Sequence, residues 1–421
     1  MEIFIRINEV LSALLCACFS YQFLYMAVAL LRRPRPLPQA TPRRYAVLVC
    51  ARNEEAVIGN LIDSVHAQRY PAALLDLYVC ADNCTDATAA RARAHGATVL
   101  ERHNTREVGK GYAIEYLLAY LRDAGVFARY AGFFFFDADN LLHEDFVAEM
   151  NRTFAAGNRI VTGYRNSKNY GDNWLSAGYS LWFLRDAQYM NRPRMLLGTS
   201  GVVGGTGFLV AREVLEACGG WPFHSLTEDT EFTADCVARG ERIGYCADAI
   251  LYDEQPTDFG QSWRQRTRWI RGFLQVLRRY GKTLLCGMFR GGRRGFACFD
   301  LLLSTMPAVL FTFACALVSL AGALYGGLVL HQNVLPLLGR QLFGWFSGMY
   351  ATLLFLGGLT LVSEWRRIYC SAAKKLLYLL SFPLFMMTYL PISVAALFGR
   401  VEWTPIRHSV SKTLEEVTRA A

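Results

Sequence analysis

The chain has 421 residues, 53% of them hydrophobic, and a mean hydropathy of +0.19. That is too apolar for an ordinary soluble domain of this length and places part of the chain in a membrane. Its 44 basic and 35 acidic residues leave a net charge of +9, and the cations crowd beside apolar runs, in Arg32-Arg33-Pro34-Arg35, at Arg290, Arg293 and Arg294, and in Arg366-Arg367. This pattern suits lipid headgroups and, with no reading motif or long Lys/Arg stripe, argues against nucleic acid as a partner.

Residues 10–31 carry no charge and are long enough to cross a hydrocarbon core of ~30 Å. Bulky Tyr25 and Met26, and the want of a small-residue cleavage site, favour an uncleaved anchor over a signal peptide. The Arg32–Arg35 flank then places the following segment in the cytoplasm. From 45 to 279, short β-rich runs alternate with amphipathic helical stretches, an α/β signature. Strands are expected at 46–50, 76–80 and 133–136. Each ends in a polar cluster: Ala51-Arg52-Asn53-Glu54-Glu55, Ala81-Asp82-Asn83 and Asp137-Ala138-Asp139. Ligands of open parallel sheets sit at the carboxyl ends of strands, so the shared placement points to one binding site.

Beyond Arg294, three uncharged stretches, 301–339, 341–363 and 376–399, can each span a membrane, and Pro307, Pro336, Pro383 and Pro391 mark kinks or re-entrant pieces. Three crossings put the tail from Arg400 outside, whereas its Arg400, Arg407 and Lys412 favour the inside. The twelve cysteines fall in apolar or strand-like runs, and Cys80 and Cys84 have no second pair at zinc spacing. They read as reduced, buried thiols.

Two carboxylates in Asp137-Ala138-Asp139 can hold one hard divalent cation, Mg²⁺ or Mn²⁺, against a nucleotide diphosphate; the alternative is a helix N-cap before Leu141. Asp82 can accept hydrogen bonds from a nucleobase or ribose, or close a local Asx-turn. Lys110, between Gly109 and Gly111 and ahead of a helix near Ala113, can contact phosphate or remain a solvated turn residue. Thr227-Glu228-Asp229 offers Asp229 as a general base for a sugar hydroxyl, or a capping box beginning at Thr227. In Gln265-Arg266-Thr267-Arg268-Trp269, helical spacing groups Trp263, Arg266 and Ile270 on one face and Gln265, Arg268 and Trp269 on another. Arg268 and Gln265 can donate to a diphosphate and Trp269 can stack on a sugar; the flanking Arg271, Arg278 and Arg279 suit an interfacial helix.

The ordered set Asp82, Asp137-Ala138-Asp139, Thr227-Glu228-Asp229 and Gln265-x-x-Arg268-Trp269 resembles the family 2 membrane glycosyltransferases, the cellulose, hyaluronan, chitin and poly-N-acetylglucosamine synthases. The resemblance covers roughly 45–280 plus the flanking spans. It implies an α/β GT-A (Rossmann-like) cytoplasmic catalytic domain with transmembrane α-helices, in a multi-pass plasma-membrane protein. The layout it implies is an anchor (1–36), a GT-A domain (37–260), amphipathic interfacial helices (261–296), C-terminal membrane helices (297–399) and a tail (400–421). Ala51, Asn53, Glu55, Asp82, Lys110, Asp137, Gln265, Arg268 and Trp269 would bind a UDP-sugar. Asp137 and Asp139 would hold Mg²⁺ or Mn²⁺, Asp229 would act as base, and Glu228 and Trp269 would meet a glycan acceptor. The implied reaction is inverting, processive β-polysaccharide synthesis coupled to translocation across the lipid bilayer. Transfer of one or a few sugars to a lipid or oligosaccharide is the alternative. An inactive scaffold or exporter is a third reading, opposed by the retained Asp229 and D-x-D. Gly204-Gly205-Thr206-Gly207-Phe208 departs from the cysteine-containing acceptor segment of cellulose-type synthases and leaves the sugar open. The single N-terminal span leaves room for an accessory membrane subunit or a homo-oligomer.

Overall fold

The computed structural model describes residues 2–34, 36–305, 307–331, 333–399, 408 and 411–419. Its centre is an eight-stranded mixed sheet in the order β3-β2-β1-β4-β7-β6-β8-β5. The strands are β1 (Tyr45–Ala51), β2 (Leu75–Asp82), β3 (Thr98–Arg102), β4 (Gly132–Asp137), β5 (Leu141–Leu142), β6 (Ile160–Ser167), β7 (Phe208–Ala211) and β8 (Ile243–Asp253). The three strands expected from sequence are present, each longer by two or three residues. Their near-continuous apolar runs suit strands covered on both faces, and Phe133 to Phe136 of β4 are all buried.

β1 pairs in parallel with both β2 and β4, bringing Ala51 level with Ala81 and Cys50 level with Asp137. The three polar clusters therefore meet at one end of the sheet. The helix Lys110–Asp123 begins at Lys110 itself and docks on the Trp221–Phe223 turn so closely that a Cβ on Gly111 would overlap the Phe223 carbonyl oxygen. Gly111→Ala is expected to cost at least about 1–3 kcal/mol, read as a lower thermal unfolding midpoint of the purified protein.

Two expectations are corrected here. Asp139 leads into the short strand β5 rather than a helix, so the D-x-D caps nothing. Thr227 precedes the helix Glu228–Arg239, but its side chain makes no capping hydrogen bond.

Outside the sheet, the helices Glu2–Phe19 and Tyr21–Leu31 form one 30-residue apolar run, and Leu335–Ser363 and Ala372–Phe398 are likewise long and apolar enough to cross a membrane; Ala314–Val329 is a shorter apolar helix. The proline-containing runs are interrupted, as expected. Pro307 and Pro336 lie in the first turns of their helices, where the missing N–H has no partner to lose. Pro383 lies within Ala372–Met387 without ending it, and the helix is interrupted at Thr388, one turn before Pro391. The tail returns to the catalytic domain: Asn60 donates to Ser411 Oγ at 3.1 Å, and Val417 packs with Leu141 and Tyr252. Arg400 and Arg407 lie outside the described residues.

Candidate active site

Ala51 closes β1, and the next residues turn sharply: Asn53 adopts φ +58°. Its Oδ1 accepts from Thr85 N at 2.8 Å, while Glu55 accepts from Ala87 N at 2.9 Å. Both side chains thus secure the loop after β2 instead of facing the cleft. Asp82, at the end of β2, is buried against Arg102, which lies opposite it on β3 and donates to Oδ1 at 2.8 Å.

Lys110 pairs with the Asp137 carboxylate and donates to Gly205 O at 2.7 Å. Burial alone would lower its pKa, but Asp137 and Glu228 outweigh that and hold the ammonium charged. Asp137 N donates to Thr206 Oγ1 at 2.9 Å, so the Gly204–Gly207 loop lies across the D-x-D. Asp139 is buried and accepts from Glu254 N at 2.9 Å. Behind it, Asp253 at the end of β8 takes hydrogen bonds from Asn140 (3.1 Å), Gln255 (3.0 Å) and Arg165 Nε (2.7 Å). Burial, reinforced by Asp139, pushes the Asp253 carboxyl up to about 6 despite Arg165.

The same Arg165 donates to Gly204 O at 2.9 Å and covers the ring of Phe183 at 3.9 Å. The glycine loop is therefore latched by two cations, Lys110 and Arg165, each bound to an acid of the cleft. Gly205 holds φ +85°, and a Cβ there would lie 3.5 Å from Asp229 Oδ2. Asp229, in the first turn of its helix, thus faces the loop that crosses the D-x-D. Burial raises its pKa against the pull of Lys110, Arg268 and Arg165, and burial together with Asp229 pushes Glu228 up to about 7.

On the 30-residue helix Phe259–Met288, Arg268 donates to Leu226 O at 2.9 Å, just before Thr227-Glu228-Asp229. Gln265 Oε1 is buried without a hydrogen-bond partner among the described residues, an acceptor suited to a ligand hydroxyl. Trp269 packs edge-on to Tyr179 at 5.8 Å and near Phe183 at 6.2 Å. The expected separation into two faces does not hold at Arg266, which shares Tyr179 with Trp269: it is wholly buried among Tyr179, Phe385 and Tyr389 and donates to Thr388 Oγ1 at 2.6 Å.

Sequence reading missed Glu54, Arg102, Arg165, Asp253 and His408. The last enters from the tail: its Nδ1 lies 2.9 Å from both Glu54 carboxylate oxygens. Burial would lower its pKa, but Asp139 and Glu54 push it up to about 10. Only Glu54, inside the first strand-end cluster but not singled out, and Asp253, closing β8, left a usable signal.

A family model described as Glycosyltransferase like family 2 matches residues 42–272, more than half of the chain. The chain belongs to this family. Among its relatives, the Beta-monoglucosyldiacylglycerol synthase of Synechocystis sp. is 28% identical over 276 residues, covering 64% of this chain and 54% of that protein. The Probable glycosyltransferase YdaM of Bacillus subtilis is 26% identical over 258 residues, covering 56% and 57%. The chain spans about half the length of these curated relatives. Among solved structures, a Pyrobaculum calidifontis mannosyltransferase in complex with GDP-Man and Mn²⁺ matches with a TM-score of 0.57 at 16% identity, over 93% of this chain and 99% of that one. That likeness bears out the GT-A-like α/β fold. Neither curated relative carries the name of a polymer synthase, which narrows the expected family without the cellulose-type assignment.

Proposed function

We propose that this glycosyltransferase moves a single sugar from a nucleotide-diphosphate sugar, a UDP-sugar first among them, to a lipid acceptor at a membrane surface. The carrying observation is the apolar company of the acceptor side. Trp269 joins one hydrophobic cluster with Phe382 and Phe385 of Ala372–Met387, one of the helices apolar enough for a membrane. A lipid hydroxyl would therefore reach Asp229 from the membrane side. Two relatives named for monoglucosyldiacylglycerol, from Synechocystis sp. and Nostoc sp., support the same reading. Processive synthesis has less support. Leu335–Ser363 and Ala372–Met387 pack tightly, with a Cβ on Gly357 falling 2.7 Å from Phe382, which leaves no room for a glycan between them.

Asp229 takes the proton of the acceptor hydroxyl, and the oxygen attacks the anomeric carbon from the face opposite the diphosphate, inverting it. Gln265 Oε1 and Trp269 orient the sugar or the acceptor, while Lys110 and Arg268 supply positive charge toward the leaving diphosphate. Asp137 and Asp139 offer hard carboxylate oxygens that would hold Mg²⁺ or Mn²⁺, and the ion would supply charge stabilisation to the diphosphate.

The return of the tail to the catalytic domain supports an even number of crossings after that domain. In this reading Pro307–Val329 and Leu335–Ser363 cross, Ala372–Phe398 lies along the surface on the catalytic domain, and domain and tail share the cytoplasm. The reaction is tested with purified full-length protein, Mg²⁺ or Mn²⁺, and UDP-glucose, UDP-N-acetylglucosamine or UDP-glucuronate, offered diacylglycerol or oligosaccharides. One added sugar per lipid, matched by UDP release, is expected in mass spectra. Ladders of growing glycan, or transfer only to oligosaccharide, would overturn it.

A further inference from the structure

Residues 259–299 hold ten Lys or Arg and not one Asp or Glu. Several of these cations are engaged within the protein: Arg266 as above, Arg268 on Leu226 O, Arg279 on Glu231, and Arg294 on Arg239 O at 2.7 Å. Arg278, Lys282 and Arg290 are exposed and make no ion pair or side-chain hydrogen bond with any described residue.

Their placement follows one stripe. Arg278, Lys282, Leu285 and Phe289 recur at intervals of four, three and four, the spacing of a single helix face. Leu285 is half exposed and Phe289 is 84% exposed. So large an exposed aromatic, at a turn between Phe259–Met288 and Gly292–Thr305 and flanked by cations, is out of place in water.

A second segment reaches the same level. Tyr25 packs its ring on Phe296 at 6.2 Å, and both Tyr21 and Tyr25 donate to Asp300 at 2.8 Å. Further along the same run Asn8 donates to Ser319 at 2.8 Å, so the N-terminal run and the 292–324 segment are antiparallel. Six residues beyond Tyr25 stands Leu31, 82% exposed; six before Phe296 stands Arg290. At equal rise per residue, the end of the N-terminal run at exposed Leu31, followed by Arg32 and Arg33, comes level to within a turn with the start of Gly292–Thr305, next to the turn that carries Phe289 and Arg290. Two protruding apolar side chains are thereby ringed by cations from separate elements, at the foot of two apolar helices.

We propose that this turn docks onto the phosphate-bearing headgroups of anionic phospholipids, with Phe289 and Leu31 seated in the headgroup–acyl boundary. Charge complementarity selects the occupant: a face of unpaired cations around an apolar tip matches an anionic bilayer surface. Docking holds the Phe259–Met288 helix, and with it Arg268 and Trp269, at a fixed height over the bilayer. The inference rests on reading the apolar helices as membrane spans.

The test uses full-length protein in phosphatidylcholine liposomes containing spin-labelled phosphatidylglycerol or phosphatidylcholine, read by electron paramagnetic resonance without any activity measurement. Phosphatidylglycerol is expected to associate roughly two- to fivefold more strongly than phosphatidylcholine, and less so in high salt. The triple change Arg278→Gln, Lys282→Gln, Arg290→Gln should bring the ratio close to one, and Phe289→Ser should lower it. Arg129→Gln, an exposed cation of the catalytic domain, should leave it unchanged. Equal association of both lipids with the parent, or a ratio untouched by the triple change, overturns the proposal. Release of the protein from membranes by alkaline carbonate would instead overturn the spanning reading beneath it.

Discussion

Asp229→Asn is expected to slow transfer by on the order of 10²–10⁴-fold while binding UDP as the parent does. Asp229 faces the Gly205 loop, and among the described residues its carboxylate makes no ion pair; it meets the Thr230 backbone N–H and, in a long contact of 3.5 Å, the Thr230 hydroxyl. The cations Lys110 and Arg268 are bound elsewhere, on Asp137 with Gly205 and on Leu226 O, so the exchange of one oxygen for an amide leaves them in place. Isothermal titration with UDP and single-turnover transfer separate the two effects. Loss of UDP affinity in step with rate would move Asp229 from base to donor contact, and near-parent turnover would remove it from the chemistry. The pH profile gives an independent reading. Burial raises the Asp229 pKa, and a base works only when deprotonated. In the parent, kcat/KM should therefore fall as pH drops through a value above the usual carboxylate range, and Asp229→Asn should flatten that limb.

Sequence revealed the strands of the site because each is an uninterrupted apolar run ending in polar residues, and parallel pairing of β1, β2 and β4 necessarily gathers those ends. It revealed the four motifs for the same reason: each is local. Arg165, Asp253 and His408 stayed hidden because their meaning is set by distant partners. Arg165 sits on β6, and only the pairing of β6 with β8 brings it to Asp253, 88 residues on. His408 meets Glu54 across 354 residues, after every apolar helix has been traversed. Local reasoning also misplaced one detail. A short acidic pair resembles a helix cap, yet β5 follows the D-x-D and pairs with β8. The prolines, by contrast, do mark the interruptions: two of them start helices, and the break at Thr388, one turn before Pro391, is held by the buried Arg266 guanidinium from another helix.

Asp300→Ala is expected to destabilise the protein by about 3–5 kcal/mol, the cost of breaking a buried ion pair from one side. Asp300 and Arg194 are each only 2% exposed in their side chains, 2.7 Å apart. Arg194 binds both carboxylate oxygens, and Tyr21 and Tyr25 donate one hydrogen bond to each. Alanine removes the acceptor for five hydrogen bonds at once, the fifth from the Ser304 hydroxyl at 3.2 Å, and strands a guanidinium without its counter-charge. Because Tyr21 and Tyr25 belong to the N-terminal apolar run and Arg194 to the helix Arg192–Leu197, the same carboxylate ties that run to the catalytic domain. The loss should therefore appear first as local release. Limited proteolysis in detergent should cut the 32–44 segment faster than the parent, and thermal inactivation should come at a lower temperature. The double change Arg194→Met with Asp300→Leu removes both charges and should recover much of the stability. Full stability of Asp300→Ala, with unchanged proteolysis, would show that the N-terminal run is held by apolar packing alone.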